Sequence, residues 1–187
     1  MDRSTLDRLI ATTELVVALV LLTASGALFF AHSFIHGQVH NQLAAQQIMF
    51  PAADSESIKA LPADDGKAVS KYAGQQLLTG AQAEVFADHY INAHLKAIGG
   101  GKTYSQLSEA SRANPSDTAL KGKVDTVFKG ETLRGMLLNA YAFDTMAIVA
   151  SYAAYGALIA GLILALIAAM RFHHANKSQR AAAKKRR

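Results

Sequence analysis

MAIVASYAAYGALIAGLILALIAAM, residues 146–170, is the stretch that decides the fold: 25 consecutive positions without a charge. A bilayer core is about 30 Å thick and takes roughly 20 apolar helical residues to cross, and most globular cores are too small for a run of this length. A second uncharged run, LVVALVLLTASGALFFA at residues 15–31, stands near the other end of the chain. The 187 residues are 51% hydrophobic with a mean hydropathy of +0.14, high for a soluble protein and low for a many-span transporter. The pattern predicts an all-α membrane protein: two transmembrane helices extended outside the bilayer into a small external helical bundle. Its segments are a cytoplasmic N-terminus at 1–14, a first span at 15–35, an external domain at 36–141, a second span at 142–170 and a basic cytoplasmic tail at 171–187.

Charge orients the chain. Residues 32–141 hold ten Lys/Arg and ten Asp/Glu, so the net charge of +5 comes from the ends. Arg3 and Arg8 precede the first span, and Arg171, Lys177, Arg180, Lys184, Lys185, Arg186 and Arg187 follow the second. Lys and Arg near span ends are retained on the cytoplasmic side. Both termini are therefore expected inside the plasma membrane, with the central domain outside. The tail and a pI of 9.5 also suit nucleic acid, but a basic run beside a span serves topology and anionic lipid, and no nucleic-acid partner is expected. The first run reads as an uncleaved signal anchor. A cleaved signal peptide is the alternative, against which stand Asp2 and Asp7 and the bulky Phe29-Phe30 ahead of Ala31-His32-Ser33. With no cysteine, thiol catalysis and Cys-ligated metal are excluded.

Apolar spacing continues past Ala31 through Phe34, Ile35, Val39, Leu43, Ile48 and Met49, which extends the first helix toward residue 49. Residues 51–65 carry Pro51, Pro62 and four acids and read as a loop. Thr79 with Gln82 has capping-box spacing, Phe86, Tyr90, Ala93 and Ala97 share a helical face, and Gly99-Gly100-Gly101 ends that helix. Thr103 with Gln106 opens a short helix to about Arg112, closed by Pro115. Another helix begins near Ser116 or Asp117, and a last one near Glu131 runs into the second span. Phe50, Tyr72, Phe86, Tyr90, Tyr104 and Phe128 are the expected core.

Ala153, Ala157, Gly161, Ala165 and Ala169 repeat small residues every four positions. Such a stripe lets helices approach closely, either in self-association or with another membrane protein, or against Thr23, Ala27 and Ala31 of the first span. His32, His36 and His40 lie at i, i+4 and i+8 on one helix face; Asp144, near the outer end of the second span, is expected across from them as a further ligand or, by itself, as an interfacial residue or helix-packing partner, and His89 and His94 lie elsewhere in the external part. That row is the candidate metal or haem site, for zinc, copper or nickel, although three imidazoles in a straight line do not all converge on one ion. The alternative is that they are interfacial polar residues. Glu14 reads as a structural carboxylate near a helix N-terminus. Gly100-Gly101-Lys102-Thr103 lacks the upstream glycine of a phosphate loop, with Lys96 in its place. Asp54, Glu56, Asp64 and Asp65 read as a solvated loop rather than a calcium site.

Three stretches carry a resemblance: Gln42 to Ile48 ending in Phe50-Pro51; Lys71-Tyr72-Ala73-Gly74-Gln75-Gln76 leading to residues 99–104; and Gly130 to Gly135 through Asn139-Ala140-Tyr141. Over about residues 15 to 168 the chain resembles uncharacterised two-span membrane proteins of actinobacteria. The resemblance implies the same layout in an actinobacterial plasma membrane and no established activity. Relatives sometimes bear a label of aromatic ring-opening dioxygenase. Non-haem iron oxygenases need two His and a carboxylate around open iron positions, and the resemblance transfers no catalytic residue. The expected role is non-enzymatic, an accessory or scaffold subunit or a cell-envelope sensor, needing no cofactor. An external metal- or haem-binding protein is the alternative, and an enzyme whose site emerges only in the fold is a third.

Overall fold

The computed structural model describes the backbone of residues 3–185 and the side-chain surroundings of residues 5–177. Of the expected topogenic charges, Arg3, Arg180, Lys184, Lys185, Arg186 and Arg187 have side chains outside the described residues. The described regular structure is helical: α1 (Arg3–Gln46), α2 (Glu56–Lys59), α3 (Ala63–Ser70), α4 (Gly80–Val85), a π-helical segment (Phe86–Ile91), α5 (Asn92–Gly99), α6 (Tyr104–Ala113) and α7 (Thr118–Lys185). One isolated bridge joins Met49 to Gln76. Contacts divide the chain into a unit made of Met1–Phe34 with Ala147–Arg187 and a second made of Ile35–Met146.

In the first unit α1 and α7 pair antiparallel. Their buried positions recur every seven residues: Ala11, Ala18 and Ser25 on α1, and Ala147, Ala154, Gly161, Ala168 and Ala175 on α7. The Ser25 hydroxyl donates to the Ala154 carbonyl at 2.9 Å, and a Cβ on Gly161 would meet Leu22 at 3.0 Å. The expected four-residue stripe is not this seam. Ala153 and Ala169 are exposed, as are Thr23 and Ala27, and Gly161 alone of the stripe is buried. Four helical residues turn about 40° past a full turn whereas seven fall only about 20° short of two, so a four-residue row leaves the contact line within two steps. Outside the seam the unit is apolar and open: Leu19, Val20, Tyr152, Ile159 and Leu166 are all more than half exposed. Both helices are long and apolar enough to cross a membrane, and only 11% and 17% of their most apolar windows are buried.

The second unit is a set of helices around a core of Val39 and Leu43 from α1, Phe50, Val69, Leu77, Phe86, Leu95, Leu107, and Val127 and Leu137 from α7. Both capping boxes form as the spacing predicts, Thr79 with Gln82 and Thr103 with Gln106. Gly100, in the left-handed region at φ 60°, stops α5. The expected loop at 51–65 instead contains α2 and leads into α3, because Ile58 and Val69 are pulled into the core. The helices expected near Asp117 and Glu131 are one. Asp117 accepts the Leu120 N–H at 2.8 Å, and no proline follows to break the run. Of the expected core, Phe50 and Phe86 are buried and Tyr72 and Tyr90 are packed against it, whereas Tyr104 and Phe128 stack on each other at the surface.

Candidate functional site

The second unit buries one carboxylate, Asp144 on α7, and the fold is built around it. Oδ1 lies 2.7 Å from Nδ1 of His36 on α1, and Oδ2 accepts the Gly80 N–H, first in α4, at 3.0 Å. Asp144 is 5% exposed, and a carboxylate that deep is tolerable only with its lone pairs occupied. The first N–H groups of a helix have no partner within it and carry its positive dipole end. Thr79 takes the Gln82 N–H and Asp144 the Gly80 N–H, so the run from α4 through α5 starts on two side-chain acceptors. Gly80 is required for the approach: a Cβ there would lie 2.4 Å from Cβ of Asp144. The His36 ring is half exposed. The arrangement ties three helices together through one buried charge.

The rest of the histidine row separates. Nδ1 of His32 contacts the Ala147 carbonyl at 2.8 Å within the first unit, and His40 is exposed. His36 is the member of the row with a described bond to Asp144. Among the described residues no group of three or more His, Cys, Asp or Glu is placed to hold a metal ion. His89 pairs with Asp65 at 2.7 Å, and Nδ1 of His94 contacts the Tyr90 carbonyl at 2.8 Å. Asp65, one of the loop acids, is therefore engaged with an imidazole.

Two features escaped the sequence reading. The π-helical segment carries Asp88, which receives Nε and Nη2 of Arg134 at 3.1 and 2.7 Å while Nη1 reaches Glu131 at 3.2 Å. Burial opposes the Arg134 charge, but hydrogen bonds and attraction from Asp88 and Glu131 outweigh it and hold its pKa above the ordinary value. Beside the π segment a cleft of about 380 Å³ is lined by Leu61, Pro62, Asp65, His94 and Lys96 among others, within the size range of small-molecule sites. A hydrophobic face at helical spacing gives no signal for either.

In the first unit Glu14 departs from its expected surroundings. Since α1 begins at Arg3, Glu14 lies beyond the first turn, where the dipole acts. Its partner is Arg171, whose Nε is 3.0 Å from Oε1. That N–H is not aligned for a hydrogen bond, and both Nε and Glu14 Oε2 are buried without a hydrogen-bond partner. Comparison of the chain with protein-family models, curated proteins and solved structures gave no match.

Proposed function

We propose that this chain is an integral plasma-membrane protein that crosses the bilayer twice, at 15–35 and 142–170, with both termini cytoplasmic and the helical unit external. It acts without chemistry of its own, as an accessory or scaffold subunit or a sensor of the cell envelope. One observation carries the reading: two long helices contact each other through a thin seam of small residues and leave their large apolar side chains uncovered. Water would penalise that surface at about 25 cal/mol per Å², and lipid removes the penalty. The resemblance to actinobacterial two-span proteins supports the same placement. The cleft beside the π segment supports the sensor form.

Protease added to intact spheroplasts is expected to cut between residues 50 and 70 and to spare the tail after Arg171; the reverse pattern overturns the topology. Mild-detergent purification from the native membrane then separates the roles, since a fixed-ratio protein partner is expected for an accessory subunit and none for a sensor. The alternative, a metal ion or haem held by the histidine row, keeps one observation in its favour, the carboxylate–histidine bond of Asp144 and His36, which metal sites also use. Elemental analysis and haem absorbance of the purified protein, repeated for His36→Ala and His40→Ala, test it.

A further inference from the structure

Among the described residues, two buried side-chain atoms have no hydrogen-bond partner, Oε2 of Glu14 and Nε of Arg171. Buried polar atoms are almost always hydrogen-bonded, and an ionisable group against lipid is costly enough to imply a use. Glu14 Oε2 nevertheless has no partner, and its companion Arg171 offers an Nε that approaches Oε1 at 3.0 Å out of alignment. Beside them a groove of about 340 Å³ is lined by Leu9, Ile10, Thr13, Glu14, Val17 and Leu164. Glu14 and Arg171 directly flank the uncharged runs 15–31 and 146–170. The groove is mostly apolar, with Leu9 and Ile10 before Glu14 along α1 and Val17 and Leu164 on the side of the uncharged runs, and Glu14 is its charged member.

We propose that this groove is a binding site for an aminophospholipid, with an acyl chain along Val17 and Leu164 and the headgroup ammonium on Glu14. The inference rests on the membrane reading above. The chemistry selects the class of lipid. A carboxylate oxygen lacking a donor needs an N–H, which a primary ammonium supplies and a trimethylated one does not. The partly exposed Arg171 guanidinium lies alongside for the lipid phosphate. Oε2 is enclosed in the structure, so binding requires the carboxylate to rotate about its broad terminal torsion to meet the headgroup.

The full chain is reconstituted in vesicles of phosphatidylethanolamine, phosphatidylcholine and phosphatidylglycerol in equal parts, extracted mildly, and its retained lipid measured by native mass spectrometry. Phosphatidylethanolamine should exceed phosphatidylcholine by about threefold, the factor equivalent to one hydrogen bond made within a membrane. Glu14→Gln and, separately, Leu164→Trp, which fills the groove and leaves the carboxylate in place, should each return the ratio to that of the vesicles. Equal retention of the two lipids overturns the lipid site, as does a preference that survives both substitutions. Loss of the protein from the vesicles on carbonate washing overturns the membrane reading and the lipid site with it. Retention without preference overturns the lipid site alone.

Discussion

Gly80→Ala tests whether Asp144 organises the helical unit. The new Cβ would lie 2.4 Å from Cβ of Asp144, 2.7 Å from Oδ2 and 3.0 Å from Cγ, against an ordinary carbon–carbon separation of about 3.5–4.0 Å. A shift of about 1 Å is therefore needed between α4 and α7, and neither Cβ is a flexible chain end. Overpacking of this kind costs about 1–3 kcal/mol. Displacing the carboxylate from the Gly80 N–H forfeits a charge-assisted bond of about 1.5–3 kcal/mol, while alanine's better helix propensity returns at most about 1 kcal/mol. The expected net loss is about 3 kcal/mol, or roughly 10 °C in melting temperature for a chain of this size. Thermal denaturation of the full chain in detergent, followed by the loss of its monodisperse chromatographic peak, reads it. The pair of rescue variants is decisive because the closest clash is with Cβ itself. Asp144→Ala keeps that atom and should leave Gly80→Ala harmful, whereas Asp144→Gly removes it and should make the second substitution nearly neutral. A Gly80→Ala protein that melts like the parent, or a loss of the same size in the Asp144→Gly background, refutes the reasoning.

His36→Ala should destabilise by about 1 kcal/mol in the same assay, less than a fully buried pair because the ring is half exposed, and His40→Ala, at an exposed position, should change nothing measurable. Gly135→Ala should stabilise by about 0.5–1 kcal/mol, since Gly135 is exposed within α7 with nothing near a Cβ. With no native cysteine present, the double variant Ser25→Cys with Ala154→Cys should cross-link readily on mild oxidation in membranes, while Thr23→Cys with Ala153→Cys should not; the opposite outcome would restore the four-residue stripe as the contact.

What the sequence made legible was what short-range chemistry decides. Thr79 with Gln82 and Thr103 with Gln106 form their boxes because both partners lie within one helical turn, and Gly100 stops α5 because a left-handed residue needs no information from elsewhere. Where a residue's role depended on distant chain, local reading misplaced it. Asp144 is the mixed case: expected near the outer end of a span, across from the histidine row or as a helix-packing partner, it bonds His36, whereas its second partner, the Gly80 N–H 64 positions away, leaves no local signal. Tyr104 and Phe128 read as core, but their rings cover one another at the surface. The break expected before Glu131 is absent, since one helix runs from Thr118 through it. Gly130 is needed instead for close packing, since a Cβ there would lie 2.4 Å from Leu95.

The seam between α1 and α7 shows the same limit from the other side, because its pattern was present in the sequence and was masked by a stronger-looking one. In a chain this rich in alanine, small residues occur at spacings of four and of seven together, so composition alone cannot choose between them. Geometry can. A helix has 3.6 residues per turn, so only a seven-residue interval keeps returning to the same side over several turns. Ala147, Ala154, Gly161, Ala168 and Ala175 satisfy that condition across the whole paired length. The second test is polar: Ser25, which fits no four-residue row with Thr23 or Ala27, reaches the Ala154 carbonyl from within the seven-residue row. A hydroxyl in an apolar pair of helices needs an acceptor: Thr23 takes the Leu19 carbonyl of its own helix, whereas Ser25 reaches across to the partner helix. A buried hydroxyl bonded across the pair therefore identifies the contact line when apolar periodicity is ambiguous.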